Sequence, residues 1–305
     1  MFALFSQQVC AVYASEQPVC VGESVETSMV IDGDLTKPCW EKATESSDFK
    51  VFGQTTVPSL KTVVKVLYTK DQVFIGIRCF QDNMADVKSG FAKPVEKDQY
   101  TARYSIEFFL KPRENTSAFY QFVANVNDMR FDCRNAANTQ DPEWQSGFVA
   151  RSKILNDSWT MEIAIPAAAL GVTEIRTGDA WGFWLCRNNQ TYYALWSSGN
   201  RGTLLDPIVQ GTLLFGGINR WWEESVRRSL PAEMKTMAAD SRLADPYSRY
   251  WQDAVKAGIK RLDLATPMNA TRFLPAFEQV RDIRRGVSLL TTRLEWKQQL
   301  EKVQE

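Results

Sequence analysis

The hydrophobic period of this chain changes once. Up to about residue 216 the apolar residues come in short runs, several alternating with polar ones, broken by turn residues. From Asn219 onward they recur at intervals of three and four. Period two buries one face of a strand and a period near 3.6 buries one stripe of a helix, so the chain must build a sheet-rich part and then a helical part. Residues 63–68 are a β-branched run, Thr69-Lys70-Asp71-Gln72 a turn, and 73–79 the returning strand of a hairpin. In 119–126, Tyr120, Phe122, Ala124 and Val126 share one face, with Gln121, Val123 and Asn125 on the other. Further strands are expected at 147–154, 160–165, 181–187, 192–196 and 212–215. Many short strands separated by turns predict a mainly β fold, an antiparallel β-sandwich of jelly-roll or immunoglobulin-like type. Pro166 to Gly171 reads as a single helical turn with Pro at its start and Gly at its end. The loops 81–103 and 135–146 are long for a compact domain, and loops of that length often carry function.

The helical extension covers 218–305, with a capping signal at Ser229-Leu230-Pro231-Ala232-Glu233 and helices expected over 246–261 and 275–303. Val280, Ile283, Val287, Leu290 and Leu294 alternate in spacings of three and four; two heptads suit a helix packed on a neighbour better than a coiled coil. Residues 28–217 are then the sandwich, and 1–27 a degraded signal peptide and an N-terminal strand. The first fifteen residues are apolar and end in Ala11-Val12-Tyr13-Ala14, but lack a positive start and are broken by Ser6-Gln7-Gln8. That reading gives an extracytoplasmic address: secreted, periplasmic or at the cell surface. No run reaches the roughly 18 apolar residues that a membrane span needs.

The chain has no histidine, which removes Ser-His-Asp and Cys-His nucleophiles, histidine bases and His-ligated zinc together. Its 36 basic and 36 acidic residues balance, and from Asn219 onward 16 basic face 12 acidic, too small an excess to point to nucleic acid. Six cysteines at 10, 20, 39, 79, 133 and 186 form no CxxC pair. Cys79 and Cys186 lie in apolar strands as buried thiols, while the even count also suits disulfides.

A string of separated signatures carries a family resemblance. Asp32-Gly33 precedes Trp40, and Val73-Phe74-Ile75-Gly76-Ile77 ends a hairpin. Tyr104 to Phe109 reads YSIEFF, Ser158-Trp159 leads into Glu162-Ile163-Ala164-Ile165-Pro166, and Trp181 to Arg187 is followed by Ala194-Leu195-Trp196. In order and spacing residues 28–216 resemble the family 9 carbohydrate-binding modules. The resemblance implies a non-catalytic β-sandwich that grips a sugar between two tryptophans, with polar side chains on the adjoining sheet face, because pyranose faces stack on rings while hydroxyls need fixed partners. It carries over Glu107 and Gln121, whereas an expected arginine is replaced by Val123. Tyr100 is the aromatic nearest the first clamp position, and Leu204 or Leu205 stands before Asp206-Pro207 at the second. The family's clamp is therefore not reproduced.

The ligand-binding candidates are Tyr100, Glu107, Gln121, Trp144, Arg187 and Trp196, with the two tryptophans as stacking platforms and Glu107 free to accept sugar hydroxyls or to pair with Arg187 or Arg130. Asp32, Asp34 and Asp82, with Asn83 beside them, are hard oxygen ligands in turns and suit a loop-stiffening Ca²⁺. Glu107 and Glu162 are the one pair to weigh as a glycosidase acid and nucleophile, but the resemblance gives both non-catalytic positions. The expected partner is an oligo- or polysaccharide. Trp221, Trp222 and the last helix offer an alternative, a scaffold module docking a protein. A third reading, a haem-binding redox subunit, would need Met84 or Met129 as an axial ligand.

Overall fold

The computed structural model describes residues 18–89, 104–112, 118–136, 139–189, 191–196 and 211–304. The chain divides into two compact units, with the boundary between Gly217 and Ile218. Thirteen strands are described in the first: β1 Val19–Ser24, β2 Lys50–Val51, β3 Thr62–Tyr68, β4 Gln72–Phe80, β5 Ser105–Lys111, β6 Phe119–Asn125, β7 Arg130–Ala136, β8 Thr139–Asp141, β9 Val149–Ile154, β10 Ser158–Pro166, β11 Ala180–Asn188, β12 Tyr193–Leu195 and β13 Gly211–Phe215. The mainly β class with a helical C-terminus holds. The ladders, however, follow one path, β8-β7-β6-β5-β11-β13-β1-β3-β4-β10-β9, with β12 on β11 and β2 on β12. The sheet curls into a half-barrel, and its two ends contribute to one core: Ile75, Ile77, Met161 and Ile163 share a cluster with Ile106, Phe108, Phe122 and Leu185.

The sheet is mixed rather than purely antiparallel, since β1 lies parallel to both β13 and β3. Parallel neighbours need long crossovers, and the chain between β1 and each partner supplies them. Ala167–Leu170 is the expected helical turn, closed by Gly171 at φ 69°. The long loops are partly structured: Met84–Ser89 is a helix, and β8 falls within 135–146. The five described cysteines are free thiols, so none of them supports the disulfide reading. Burial pushes Cys20 up to about 12 and Cys79 up to about 11, leaving both as inert packing groups.

One face of β4 and β10 lines the core through Val73, Ile75, Ile77, Trp159, Met161, Ile163 and Ile165. The opposite face is covered by the segment between β1 and β2, where Trp40 and Ala43 pack on Leu67, Phe74 and Ala164, with Ile31 and Leu35 beside them. Glu162 is 0% exposed on that covered face. Its Oε2 accepts the backbone N–H groups of Asp32 (2.9 Å) and Gly33 (3.0 Å), its Oε1 accepts Trp40 Nε1 (2.7 Å), and Lys37 Nζ reaches both oxygens at 2.7 and 2.6 Å. A buried carboxylate is tolerated only when paired and hydrogen-bonded, and this one is both. Gly33 is required at φ +82°, where a Cβ would also lie 2.7 Å from the Ser152 carbonyl carbon. Gly76, paired with Glu162 across the ladder, leaves room for the indole: a Cβ there would lie 2.9 Å from Leu35 and 3.0 Å from Trp40.

The second unit is helical. A continuous run, Gly217–Arg220, Trp221–Ser229 and Leu230–Ala239, is π-wound in its middle part, so the expected start at Ser229 lies inside a helix and not at its end. Pro246–Arg261 begins at Asp245, whose side chain accepts the Ser248 N–H, and packs on Ala270–Gln304. Trp221 sits 5.3 Å from both Phe273 and Phe277, and so is part of this unit's own core. Among the described residues no helix is long and apolar enough to cross a membrane.

Two outcomes follow from the covered face. Gly76→Ala should destabilise the chain by about 1–3 kcal/mol through overpacking, read as a lower urea midpoint; an unchanged midpoint would mean that Trp40 does not lie on this strand. Lys37→Met should cost about 3 kcal/mol by leaving Glu162 buried without its cation. Burial alone would lower the Lys37 pKa, but its bonds to Asp32 and Glu162 raise it above 10.5, and the bond from Lys37 holds Asp32 below 3.8. The difference between wild type and Lys37→Met should therefore be flat between those values. It should shrink as pH rises through the raised lysine pKa and as pH falls through the lowered Asp32 pKa. A difference that grows above pH 10.5 would contradict the pairing.

Candidate functional site

The other end of the sheet has a face of different character. In β5 the alternation sends Ile106, Phe108 and Leu110 into the core and turns Ser105, Glu107 and Phe109 outward; in β6, Phe122 and Ala124 go in while Gln121 and Val123 go out. Gln121 Nε2 donates to Glu107 Oε1 at 2.7 Å, and the two side chains sit in residues only 8% and 7% exposed. Around them the outward residues are apolar: Val123 and Cys186 lie directly opposite Glu107, and Cys133 and Phe109 opposite Gln121. Phe109 stacks on Trp184 (4.8 Å, 7°), and Phe119 leans on both. Burial, and then the Glu107 carboxylate, push the Cys186 thiol well above its ordinary pKa, so it stays neutral beside the carboxylate. A carboxylate and an amide fixed to each other in an apolar surround are suited to orient hydroxyl groups.

Of the residues expected to form a site, only Glu107 and Gln121 meet here. Tyr100 lies outside the described residues. Trp144 is half-buried against Tyr120 (5.0 Å) and Phe122 (6.1 Å), on the core side of the sheet. Trp196 is 1% exposed beside Phe183, also in the core, so both indoles lie on the side of the sheet opposite Glu107 and Gln121. Arg187 faces inward with Phe183 and Leu185, on the side of β11 opposite Cys186, and is 0% exposed. Its guanidinium donates to the carbonyls of Leu60, Lys61 and Phe80, to Thr62 Oγ1 and to Gln81 Oε1, tying the start of β3 and the end of β4 to β11. Arg130 donates to the Phe148 carbonyl. Neither arginine has a described bond to Glu107.

Among the described residues no group of three Asp, Glu, Cys or His side chains could hold a metal. Asp32 accepts Lys37 at 2.6 Å and Asp34 accepts Lys153 at 2.9 Å, so lysine ammoniums stand where an ion was expected. Asp82 lies apart from them, just past the end of β4, and Asn83 caps the helix at Met84 by accepting the Asp86 N–H. Met84 and Met129 are buried packing groups. Glu107 and Glu162 do not make an acid–nucleophile pair either, because five strands separate β5 from β10 along the path and Glu162 already has four donor groups. The sequence reading passed over Asn135, which the alternation of Phe131, Cys133 and Asn135 sets on the same outer face as Gln121.

Several solved structures are similar to this chain. A crystal structure of a candidate carbohydrate-binding protein from Bacteroides uniformis superposes with a TM-score of 0.51 at 16% identity, covering 65% of this chain and 99% of that one. A family 9 carbohydrate-binding module from Caldicellulosiruptor kristjanssonii in complex with cellotriose gives 0.46 at 16% identity, covering 66% and 95%. The structure of a family 9 module from the same organism with glucose gives 0.45 at 14%, covering 65% and 96%. None of the curated proteins matches the chain. Residues 31–194 match the family described as carbohydrate family 9 binding domain-like, more than half of the chain, and the protein belongs to that family.

Proposed function

We propose that this protein is a non-catalytic carbohydrate-binding module that takes a glycan on the outer face of β5, β6 and β11, with Glu107 and Gln121 as the polar contacts. In this reading the two ends of the curled sheet act as the leaves of a sandwich. The observation that carries it is the Gln121–Glu107 bond, the polar centre of an otherwise apolar stretch of sheet in a chain of this family. Glu107 accepts from sugar hydroxyls, and Gln121 fixes the carboxylate while keeping its own amide oxygen for a hydroxyl donor. An extracytoplasmic location belongs to the same proposal, since polysaccharide is the partner it supplies. Ca²⁺ has no described cluster to occupy, so binding should be indifferent to it.

A second reading, docking of a protein partner by the helical unit, is favoured by one observation. Tyr247, Tyr250 and Trp296 are 48%, 67% and 49% exposed there, and exposed aromatics of this kind are enriched at interfaces.

Calorimetry of the full chain with gluco-, xylo- and manno-oligosaccharides, with and without calcium, separates the readings. We expect binding that is unchanged by calcium and weakened at least tenfold in Glu107→Ala and Gln121→Ala, the scale of a lost charge-assisted hydrogen bond. Silence across the panel would make Glu107–Gln121 a packing pair and leave the protein-docking reading.

A further inference from the structure

The helix Pro246–Arg261 buries one face and leaves another bare. Ser248, Gln252, Val255 and Gly258 are buried, and Gln252 Nε2 donates to the Leu243 carbonyl at 3.3 Å. Tyr247, Tyr250, Ala254, Ala257 and Arg261 follow one another at spacings of three, four, three and four, which sets them on one stripe, and all five are exposed. The stripe carries both a knob and a hole. Tyr250 is 67% exposed and stands edge-on to Trp251 (5.4 Å, 82°). Two turns on, Gly258 and Gly286 bring this helix tightly against Ala270–Gln304: a Cβ at Gly258 would lie 2.6 Å from Ile283 Cγ1, and one at Gly286 2.7 Å from Val255 Cγ2. Beside that close approach lies a cleft of about 220 Å³, lined by Trp251, Ala254, Gly258, Arg261, Asp282 and Gly286 among others.

We infer that this face is the contact between two copies of the chain, packed helix against antiparallel helix about a two-fold axis at Ala254. Ala254 stands midway between Tyr250 and Gly258, four residues from each, or about 6 Å of helix. Rotation about it carries the phenol ring of each copy to the cleft of the other, knob into hole. The same rotation brings Tyr247 opposite the other copy's Arg261, ring to guanidinium. Asp253 and Lys256, with side chains 80% and 47% exposed, straddle Ala254 at the edge of the stripe, so each carboxylate meets the other copy's ammonium. The small side chains of Ala254 and Ala257 let the two backbones approach where the axis passes. The Arg293 guanidinium, over the rings of both Tyr247 (5.5 Å) and Trp296 (5.1 Å), holds the aromatic end in place before contact. A foreign partner would need its own matching knob, hole and order of charges; a second copy has all three by symmetry. The second copy is thus the occupant of the exposed aromatic face in the docking reading, on which the inference rests, and it is independent of the sugar-binding reading.

The test is sedimentation equilibrium of the full chain over a range of concentrations, in wild type, Tyr250→Ala, Ala254→Glu and Ala254→Lys, with circular dichroism to check that each is folded. We expect wild type to pass from 34.7 kDa to twice that mass as concentration rises. Tyr250→Ala should weaken the dimer at least tenfold, the scale of a lost aromatic anchor. Each Ala254 variant alone should stay a monomer, because like charges meet on the axis, and an equimolar mixture of the two should dimerise again. That rescue separates a lost contact from a damaged fold. A wild type that stays at 34.7 kDa up to its solubility limit overturns the inference and leaves the face to a different protein, the broader docking reading. A dimer indifferent to all three substitutions overturns it as well, by placing the contact elsewhere. Neither result bears on the sugar-binding reading, which the saccharide heats decide alone.

Discussion

Glu162 holds the first unit together where a sheet alone would leave a gap. A carboxylate removed from water loses several kcal/mol of hydration unless donors replace the shell, and four groups from one short segment do so here: two backbone amides, a lysine and an indole. The consequence is reciprocal. The segment between β1 and β2 has little regular structure of its own, and the carboxylate gives it one place to lie; Trp40 then seals Phe74, Leu67 and Ala164 from solvent. Asp32-Gly33, Trp40, Gly76 and Glu162, scattered over 130 positions, are in physical terms a single contact.

That contact assigns roles to the two ends of the sheet. At β4 and β10 the outer face is closed by the chain's own segment and its carboxylate is saturated. At β5 and β6 the outward polar groups are few and fixed to each other. The inward faces of β4 and β10 and of β5, β6 and β11 form one apolar core, with the Arg187 guanidinium inserted at its rim to hold β3, β4 and β11 in register. Glu162 and Glu107 thus play different parts, Glu162 caged by the chain's own donors and Glu107 bonded to Gln121 in the proposed site, although both point away from the shared core.

Much of the architecture was legible in the alternation. β3, β4, β6 and β9 to β13 stand where period two placed them, and the last two helices where the period lengthened. β7 was not legible because Arg130, Asp132 and Arg134 alternate on the side opposite Phe131, Cys133 and Asn135, and Asp132 is fully buried as the acceptor of Ser146; polar residues on that side erase the hydrophobic signal. Parity misled at Arg187, one residue from Cys186 yet on the opposite face. Trp196 looked like a platform because it follows a strand near a loop; the small residue that admits its ring, Gly211, stands fifteen positions away, where a Cβ would lie 2.7 Å from the indole. The Asp32 turn resembled an ion site because nothing in its spacing shows that Lys37 folds back onto it.

The central claim is that recognition belongs to the Glu107 face and the Glu162 cage is structural. Backbone amide shifts mapped by NMR during a cellotriose titration test it most directly. The account predicts that the shifts gather on β5, β6 and β11, at Glu107, Gln121 and their outward neighbours, while Asp32, Gly33 and Trp40 stay still. Shifts centred on Asp32 and Gly33, with β5 and β6 unmoved, would contradict it.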